Sequence, residues 1–297
     1  MIVVTGATGA LNGATVERLL ERVPAHRIGL SVRSVDRAQH FADRGVRVRY
    51  GTYDDPAALR DSFAGAEQVL LVSSSDFGAD VLGQHRTAIE AAAEAGAERI
   101  LYTSAQGAAA DSPYPPLAIH AATEAILAGS GVAWTALRNS FFGDLGRLLG
   151  PWQQTGVMAH PADGPVAWID RADAAEAAAR ILAGERSFEG PVTLTPSEAV
   201  TIGDFAAIAS DLTGRTIERV LVEDEQWVAD QVAGGTPEQV ARFTLALFQG
   251  TRAGHFARVD PLLAELLGRE PRSAAEQLTD HVAAPSAPSS SPGRLPG

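Results

Sequence analysis

The 297-residue chain contains no cysteine and no lysine, because all 24 of its basic residues are arginine. The missing cysteine excludes disulfides, thiolate nucleophiles and cysteine-ligated metal centres. The missing lysine excludes Schiff-base chemistry and the lysine of a Walker-type phosphate loop. The seven histidines show no metal-ligand spacing, so we expect no metal site.

Negative charge predominates, with 36 acidic against 24 basic side chains and a net charge of −12. Such a surface repels polyanions, so neither nucleic acid nor an anionic membrane is an expected partner. No apolar run approaches the roughly 18 residues that span a bilayer, and the first residues lack the pattern of a secretory signal. We therefore expect a cytoplasmic protein that acts on a small molecule. Formation of a homodimer stays open.

Short apolar runs such as Ile2–Thr5 and Ile28–Val32 alternate with longer helical patterns through the first half of the chain. This alternation predicts βαβ units, and the continuous Val/Ile/Leu runs predict a parallel sheet that helices cover on both faces. The expected fold class is therefore α/β, a Rossmann-type doubly wound parallel sheet with a smaller, mostly helical C-terminal lobe for the substrate.

Three units are expected along the chain. The Rossmann domain would occupy residues 1–155, and the smaller lobe, packed on it, residues 156–282, where the alternation loosens. Residues 283–297 are rich in proline and serine. They carry too little apolar surface to offset the entropy of ordering, which predicts a disordered tail.

A glycine turn follows the first strand in the run Thr5-Gly6-Ala7-Thr8-Gly9-Ala10-Leu11-Asn12. A G-x-x-G pattern between a strand and a helix is typical of dinucleotide binding. The first glycine permits the tight turn, and the second lets backbone N–H groups approach a pyrophosphate at the helix N-terminus. Asn12 stands where a third glycine would allow close helix–strand packing. An ordinary βα turn is the alternative.

The end of the second strand distinguishes NAD from NADP. NAD binders place an acidic residue there for the ribose 2′-hydroxyl, whereas NADP binders use arginine for the 2′-phosphate. Arg33 falls at this place beside Ser34, and Arg37 is a second positive contact. Asp36 is expected to cap the next helix instead. The predicted cofactor is therefore NADPH (NADP⁺), with a solvated surface arginine as the alternative.

Further motifs occur in a specific order after the glycine turn: Val32-Arg33, Leu70–Ser75, Gln84-His85-Arg86, Tyr102-Thr103-Ser104, His120 with Thr123-Glu124, Leu137-Arg138-Asn139, Thr201–Phe205 and Leu266–Gly268. Over about residues 1–282 the chain thereby resembles the NmrA-like family of atypical short-chain dehydrogenases/reductases. Within that family it is similar to the bacterial NADPH quinone reductases and triphenylmethane reductases.

The resemblance implies an NAD(P)-binding first domain whose cofactor lies across the carboxyl ends of the strands, where Rossmann folds place ligands. Thr52 departs from the family, which often has an aspartate near the adenine. The cofactor-binding residues that we predict are Gly6, Ala7, Thr8, Gly9, Ala10, Leu11, Asn12, Arg33, Ser34, Tyr53, Ser73, Ser74, Ser75, Thr103, Ser104, Arg138 and Asn139.

The usual catalytic pair of such reductases, Tyr-x-x-x-Lys, cannot form without lysine. The corresponding helix carries His120 and Glu124, which are i,i+4 neighbours on one face. Histidine can donate a proton near neutral pH, and a carboxylate would orient it and raise its pKa. We predict His120, Glu124 and Asn139 as the catalytic residues. A structural His–Glu pair is the alternative.

The missing pair also narrows the substrate. A quinone or a cationic conjugated dye accepts hydride with little acid assistance, so the protein mainly supplies proximity and orientation. We therefore predict an NADPH-dependent reductase of conjugated small molecules. Phe77, Phe141 and Phe142 would stack on the substrate, although core packing is the alternative for each. Two other functions stay open: a redox-inactive NADP(H)-binding regulator and a non-redox tailoring enzyme.

Overall fold

The computed structural model of the protein describes residues 1–74, 78–142 and 145–283. Ser75 and Phe77, which we predicted as cofactor and substrate contacts, lie outside the described residues, as do residues 284–297 of the predicted tail. The strands are β1 (Ile2–Thr5), β2 (Ile28–Val32), β3 (Arg47–Tyr50), β4 (Gln68–Leu71), β5 (Arg99–Ala105), β6 (Ala133–Asn139), β7 (Val157–His160), β8 (Gly190–Leu194) and β9 (Glu218–Leu221).

The helices are α1 (Ala10–Leu20), α2 (Gln39–Ala42), α3 (Pro56–Phe63), α4 (Val81–Glu94), α5 (Pro115–Gly129), α6 (Leu145–Leu149), α7 (Trp152–Thr155), α8 (Arg171–Leu182), α9 (Ile202–Thr213), α10 (Asp224–Ala233), α11 (Glu238–Arg252), α12 (Leu262–Leu267) and α13 (Ala274–Ala283). Within the ranges given above, no helix is long and apolar enough to cross a membrane.

Seven strands form the main sheet in the order β3-β2-β1-β4-β5-β6-β8, and every neighbouring pair is parallel. The chain runs outward from β1 in one direction through β2 and β3, then returns and runs outward in the other through β4. This reversal opens a crevice outside the carboxyl ends of β1 and β4, where open α/β sheets bind ligands. The predicted Rossmann-type α/β fold is confirmed.

Two hydrophobic layers cover the sheet. On one face α1 packs against α8, and the core there includes Val16, Leu19 and Ile181. On the other face α3, α4 and α5 cover a core that includes Phe63 and Tyr102. These helices bury apolar faces against strands that are buried on both sides, as the continuous apolar runs predicted.

The C-terminal part has a third hydrophobic core, which contains Trp152, Phe205 and Trp227. The parallel pair β7–β9 adjoins it, and most of the surrounding elements are helices. Two elements that lie inside the predicted lobe complete the Rossmann layers instead, because β8 pairs with β6 and α8 packs on α1. The division of the chain near residue 155 stays a prediction.

The expected cap at Asp36 was wrong. Asp36 lies inside a 3-10 turn, Asp36–Ala38, and the helix that follows begins only at Gln39. Val35, which precedes the turn, is already helical (φ −63°, ψ −40°). A capping residue needs extended backbone before the first turn, so the aspartate lies one position too late to cap it.

Candidate cofactor and active site

The glycine turn joins β1 to α1 in a conformation that only glycine adopts easily. Gly6 has φ +64°, and a Cβ added to it would lie 2.5 Å from Val72 Cγ1 at the end of β4. The N–H of Gly9 donates to the Gly6 carbonyl at 2.9 Å and closes the turn. No side chain caps α1. Its first N–H groups are therefore available to an anion at the sheet's crevice.

Asn12 explains how the turn functions without a third glycine. Its Nδ2 donates to the Thr5 carbonyl at 2.8 Å, and the side chain is buried. The amide thereby links the first turn of α1 to the end of β1. Gly13 lies close to the turn itself, since a Cβ there would lie 3.0 Å from the Ala7 carbonyl oxygen.

Arg33 extends from the end of β2 beside this turn. Its side chain is exposed and forms no hydrogen bond or ion pair within the described part of the chain. Burial raises the pKa of the nearby Tyr53 phenol, and the positive charge of Arg33 partly opposes this rise. Arg37 Nη2 lies 3.4 Å from the Thr8 carbonyl oxygen. Two arginines therefore flank the turn, and one of them is unpaired.

Tyr53 was predicted as a cofactor contact, but its hydroxyl forms hydrogen bonds to other residues of the protein. The hydroxyl lies 2.8 Å from Thr5 Oγ1 and donates to the Val72 carbonyl at 2.8 Å. Thr5 Oγ1 also accepts from the Val72 N–H at 2.9 Å. These bonds join the ends of β1 and β4 beneath the crevice, so the Tyr53 hydroxyl supports the site rather than facing it.

His85 holds the backbone that follows β4, a role that sequence reasoning missed. Its Nε2 accepts from the Ser74 N–H at 2.9 Å, and its Nδ1 lies 2.8 Å from Thr123 Oγ1. Because Nε2 accepts, the imidazole is neutral and carries its hydrogen on Nδ1. Ser73 is held similarly, by Thr103 Oγ1 at 2.8 Å. In the sequence, only its place in the motif Gln84-His85-Arg86 pointed to His85.

Acidification is expected to destabilise the protein through His85. Burial lowers the pKa of this histidine from 6.5 to about 4. At a pH between these two pKa values, His85 is protonated in the unfolded chain but neutral in the folded protein. The free energy of unfolding therefore falls as the pH falls. The contribution of His85 to the loss between pH 7 and pH 5 should be about 2 kcal/mol. Urea unfolding of His85→Gln should show a smaller loss over this range, whereas a change at exposed His26 (His26→Gln) should leave the loss unaltered. Equal losses in all three proteins would contradict this assignment.

His120 does not pair with Glu124, so the expectation that a carboxylate orients it and raises its pKa was wrong. Its Nδ1 lies 2.8 Å from the hydroxyl of Tyr102, a buried residue of β5. Burial, together with the charge of Arg138, lowers the pKa of His120 to about 3. The imidazole is therefore neutral at physiological pH and cannot serve as an imidazolium acid.

Glu124 instead forms a buried ion pair with Arg138 of β6. Arg138 Nε donates to Glu124 Oε1 at 2.9 Å, and Nη2 donates to Oε2. Ser104 Oγ donates to Oε1 at 2.7 Å. This pairing raises the pKa of Arg138. The i,i+4 spacing predicted that Glu124 lies on the same helix face as His120, but only the tertiary structure shows that Glu124 pairs with Arg138.

Buried polar atoms without partners occur at the carboxyl ends of β5 and β6. Asn139 Nδ2 donates to the Leu137 carbonyl, which leaves Oδ1 without a partner among the described residues. Gln106 Oε1 and Ser140 Oγ, neither of them predicted, are also buried and unpartnered there. Buried acceptors without partners are costly, so these atoms suit a ligand or ordered water that carries N–H or O–H groups.

Two of the aromatic residues that we predicted to line the substrate site, Phe141 and Phe142, pack against different hydrophobic cores. Phe141 contacts Trp168 and Phe256 edge-on, with ring centroids 5.2 and 5.9 Å apart, and is half-buried at the margin of the third core. Phe142 packs against the core beneath the sheet, with the guanidinium of Arg171 5.6 Å from its ring centre. That packing accounts for Phe142 without a substrate, so of the two described phenylalanines Phe141 is the one that we keep as a proposed wall residue of the substrate site.

Together, the uncapped helix N-terminus, the glycine cradle and the unpaired arginine at the next strand define a Rossmann-type dinucleotide-binding protein. Among the described residues, no group of three or more histidine or acidic side chains could hold a metal ion.

Comparison of the chain with known proteins supports this class. Residues 6–185 match the family described as NAD(P)H-binding. The chain is 34% identical to quinone oxidoreductase 2 of Escherichia coli strain K12, over 94% of this chain and 98% of that protein. It is 30% identical to an NmrA-like family domain-containing oxidoreductase of Aspergillus flavus, over 93% and 94% respectively. The structure of Citrobacter sp. triphenylmethane reductase complexed with NADP(H) is similar with a TM-score of 0.86 at 30% identity, covering 94% of this chain and 99% of that chain. The chain belongs to the NAD(P)H-binding NmrA-like family of oxidoreductases.

Proposed function

We propose that this protein is an NADPH-dependent reductase that transfers hydride to a quinone-like or other conjugated small molecule without a Tyr-x-x-x-Lys pair. One observation carries the proposal: the uncapped N-terminus of α1 and the unpaired Arg33 follow the carboxyl ends of two neighbouring parallel strands, β1 and β2. The relatives reported above include a quinone oxidoreductase and a triphenylmethane reductase, which supports the substrate class.

The residues present fit NADPH. The turn from Gly6 to Asn12 would bring backbone N–H groups to the diphosphate, because Gly6 adopts the positive φ that the turn requires and Gly9 has no side chain at the start of α1. The free guanidinium of Arg33 is suited to a 2′-phosphate. The acceptor Asn139 Oδ1 is available to an N–H or O–H group of the nicotinamide half or the substrate. When bound, NADPH would supply the hydride.

The substrate class follows from the weakness of the available acid. His120 is neutral, and the Tyr102 phenol beside it has a raised pKa, so neither protonates a substrate strongly before reaction. An unactivated ketone needs such assistance. A quinone or a conjugated cation does not, because hydride addition yields a delocalised or neutralised product. The chain's residues therefore mainly orient the acceptor and exclude water.

The proposal is tested in two stages. NADPH should raise the Tm more than NADH does, and saturation to about 100 times the Kd should add roughly 2.7 kcal/mol of stability. NADPH oxidation at 340 nm should then proceed with quinones and cationic dyes. Stabilisation without turnover of any acceptor would favour the redox-inactive regulator, and no stabilisation by either nucleotide would exclude the cofactor assignment.

Replacing Arg33 with alanine should weaken NADPH binding by roughly 10- to 100-fold, the worth of charge-assisted hydrogen bonds to a phosphate. NADH binding should change less than threefold, because NADH has no 2′-phosphate. Fluorescence titration of both nucleotides measures the two effects. Arg18→Ala removes an exposed arginine of α1 that pairs with Glu21 and serves as the control. Equal weakening of both nucleotides by Arg33→Ala would count against its assigned role.

A further inference from the structure

A buried phenol lies behind His120. The hydroxyl of Tyr102 is 2.8 Å from His120 Nδ1, and Tyr102 is only 1% exposed. The hydroxyls of Ser73 and Thr123 also lie close enough to the phenol to influence its pKa. His120 is half-buried, and its Nε2 forms no hydrogen bond within the described residues. Nδ1 of the imidazole is therefore hydrogen-bonded to Tyr102, and Nε2 is available to a ligand.

His85 and Thr123 determine the direction of the hydrogen bonds around Tyr102. The neutral His85 donates from Nδ1 to Thr123 Oγ1, as derived above. Thr123 has a single hydroxyl hydrogen and donates it to the Ile119 carbonyl at 2.9 Å. Thr123 therefore has no hydrogen left to donate to Tyr102. As acceptors, Ser73 and Thr123 offer Tyr102 hydroxyl oxygens, whereas His120 offers an imidazole nitrogen, which is a stronger acceptor.

Tyr102 keeps its proton because burial raises the pKa of this phenol well above its ordinary value. A buried phenolic O–H must find an acceptor. His120 Nδ1 is at hydrogen-bonding distance and accepts only when it carries no hydrogen itself. The neutral His120 then carries its hydrogen on Nε2, the nitrogen that faces away from Tyr102.

We propose that Tyr102 is a positioning residue for the proposed reduction: it holds His120 as the Nε2–H tautomer and returns a proton to it as the substrate is reduced. With a quinone, the hydride that bound NADPH would supply leaves the two-electron-reduced acceptor with a negative oxygen. The His120 Nε2 proton passes to that atom. Nδ1 takes the proton of Tyr102. Solvent then protonates Nε2, and Nδ1 returns its proton to the phenolate, which restores the Nε2–H tautomer. One hydride and one proton are consumed in each turnover.

The surroundings of His120 agree with a neutral imidazole throughout. Tyr102 faces it from β5, His85 and Arg138 influence its charge from α4 and β6, and Glu124 lies on its own helix. The only carboxylate of this group, Glu124, is occupied by Arg138 and Ser104. Among the described residues that face His120, no free anion is present to stabilise an imidazolium. Turnover should therefore not fall between pH 5 and pH 9 through titration of His120.

The tautomer is tested first, without cofactor or turnover. Long-range ¹H–¹⁵N NMR of the histidine side chains, assigned by loss of one set of signals in His120→Gln, should show His120 with hydrogen on Nε2 and a bare Nδ1. Tyr102→Phe should convert it to a mixture of tautomers or to Nδ1–H. An Nδ1–H tautomer in the unmodified protein would overturn the proposal. Because no reaction is needed, this result stands even if the proposed reductase function fails.

The proton movement is tested with an accepted quinone in H₂O–D₂O mixtures. Transfer of two protons in the rate-limiting step should give a curved dependence of kcat on deuterium fraction. Tyr102→Phe should lower kcat about tenfold, leave KM within about twofold and make the dependence linear. Tyr114→Phe is the matched control, since it removes another phenol hydroxyl from a ring that packs against Phe243 and Phe256 and not against His120. A linear dependence in the unmodified protein, or curvature retained in Tyr102→Phe, would refute the relay.

Discussion

Replacing Gly6 with alanine is expected to lower the free energy of unfolding by about 2–4 kcal/mol and to weaken NADPH at least tenfold. Two costs combine at this position. The residue has φ +64°, which an L side chain adopts only with strain, and its new Cβ would lie 2.5 Å from Val72 Cγ1. Relief requires the turn to move away from β4, which displaces the N–H groups that would hold the diphosphate. Urea unfolding and fluorescence titration of NADPH measure the two effects.

Two variants separate these costs. Gly65 also has a positive φ, +76°, but nothing lies within 4 Å of its Cβ position. Gly65→Ala should therefore cost only the backbone strain, about 1 kcal/mol, and should leave NADPH binding unchanged. Adding Val72→Ala to Gly6→Ala removes the colliding methyl groups, so the double variant should be more stable than the sum of the two single losses indicates. Additive losses would show that the collision is not the cause.

Replacing Glu124 with alanine is expected to cost about 3 kcal/mol, the lower end of what an unpaired buried charge costs, because Arg138 is partly exposed. The change leaves the Arg138 guanidinium and the Ser104 hydroxyl without their common acceptor. Catalysis should also weaken, since an unpaired cation is then free to move beside His120. Urea unfolding gives the first effect, and the kcat with a quinone acceptor gives the second.

The matched comparison is the double change Glu124→Leu with Arg138→Met. It removes both charges together, and apolar replacement of a buried ion pair is often neutral or stabilising. The double variant should therefore regain most of the stability lost in Glu124→Ala while remaining catalytically impaired. If it is as unstable as Glu124→Ala, packing rather than the unpaired charge accounts for the loss.

Much of the architecture could be read along the chain. Ile2–Thr5 and Ile28–Val32 have the bounds that the apolar patterns indicated, because local periodicity and burial agree there. The short strand Val157–His160 was not predicted. It pairs with Glu218–Leu221, some 60 residues later, and four residues carry too little pattern to reveal such a partner.

The site was less predictable, and for a different reason. A helix face shows which residues are neighbours along one element, so His120 and Glu124 looked like a pair. The pairs that form in three dimensions, His120 with Tyr102 and Glu124 with Arg138, cross between elements 14 to 18 residues apart in sequence. Spacing within one helix carries no information about which strand lies opposite.

The absence of lysine and the glycine turn are properties of the sequence alone, and they already excluded the standard proton donor and favoured a dinucleotide. The protonation state of His120 was decided only by the tertiary structure. Burial and the charge of Arg138 lower its pKa to about 3, whereas the sequence placed a carboxylate four residues away and suggested the opposite. Composition determines which groups exist, but desolvation and long-range pairing determine which of them carry a proton.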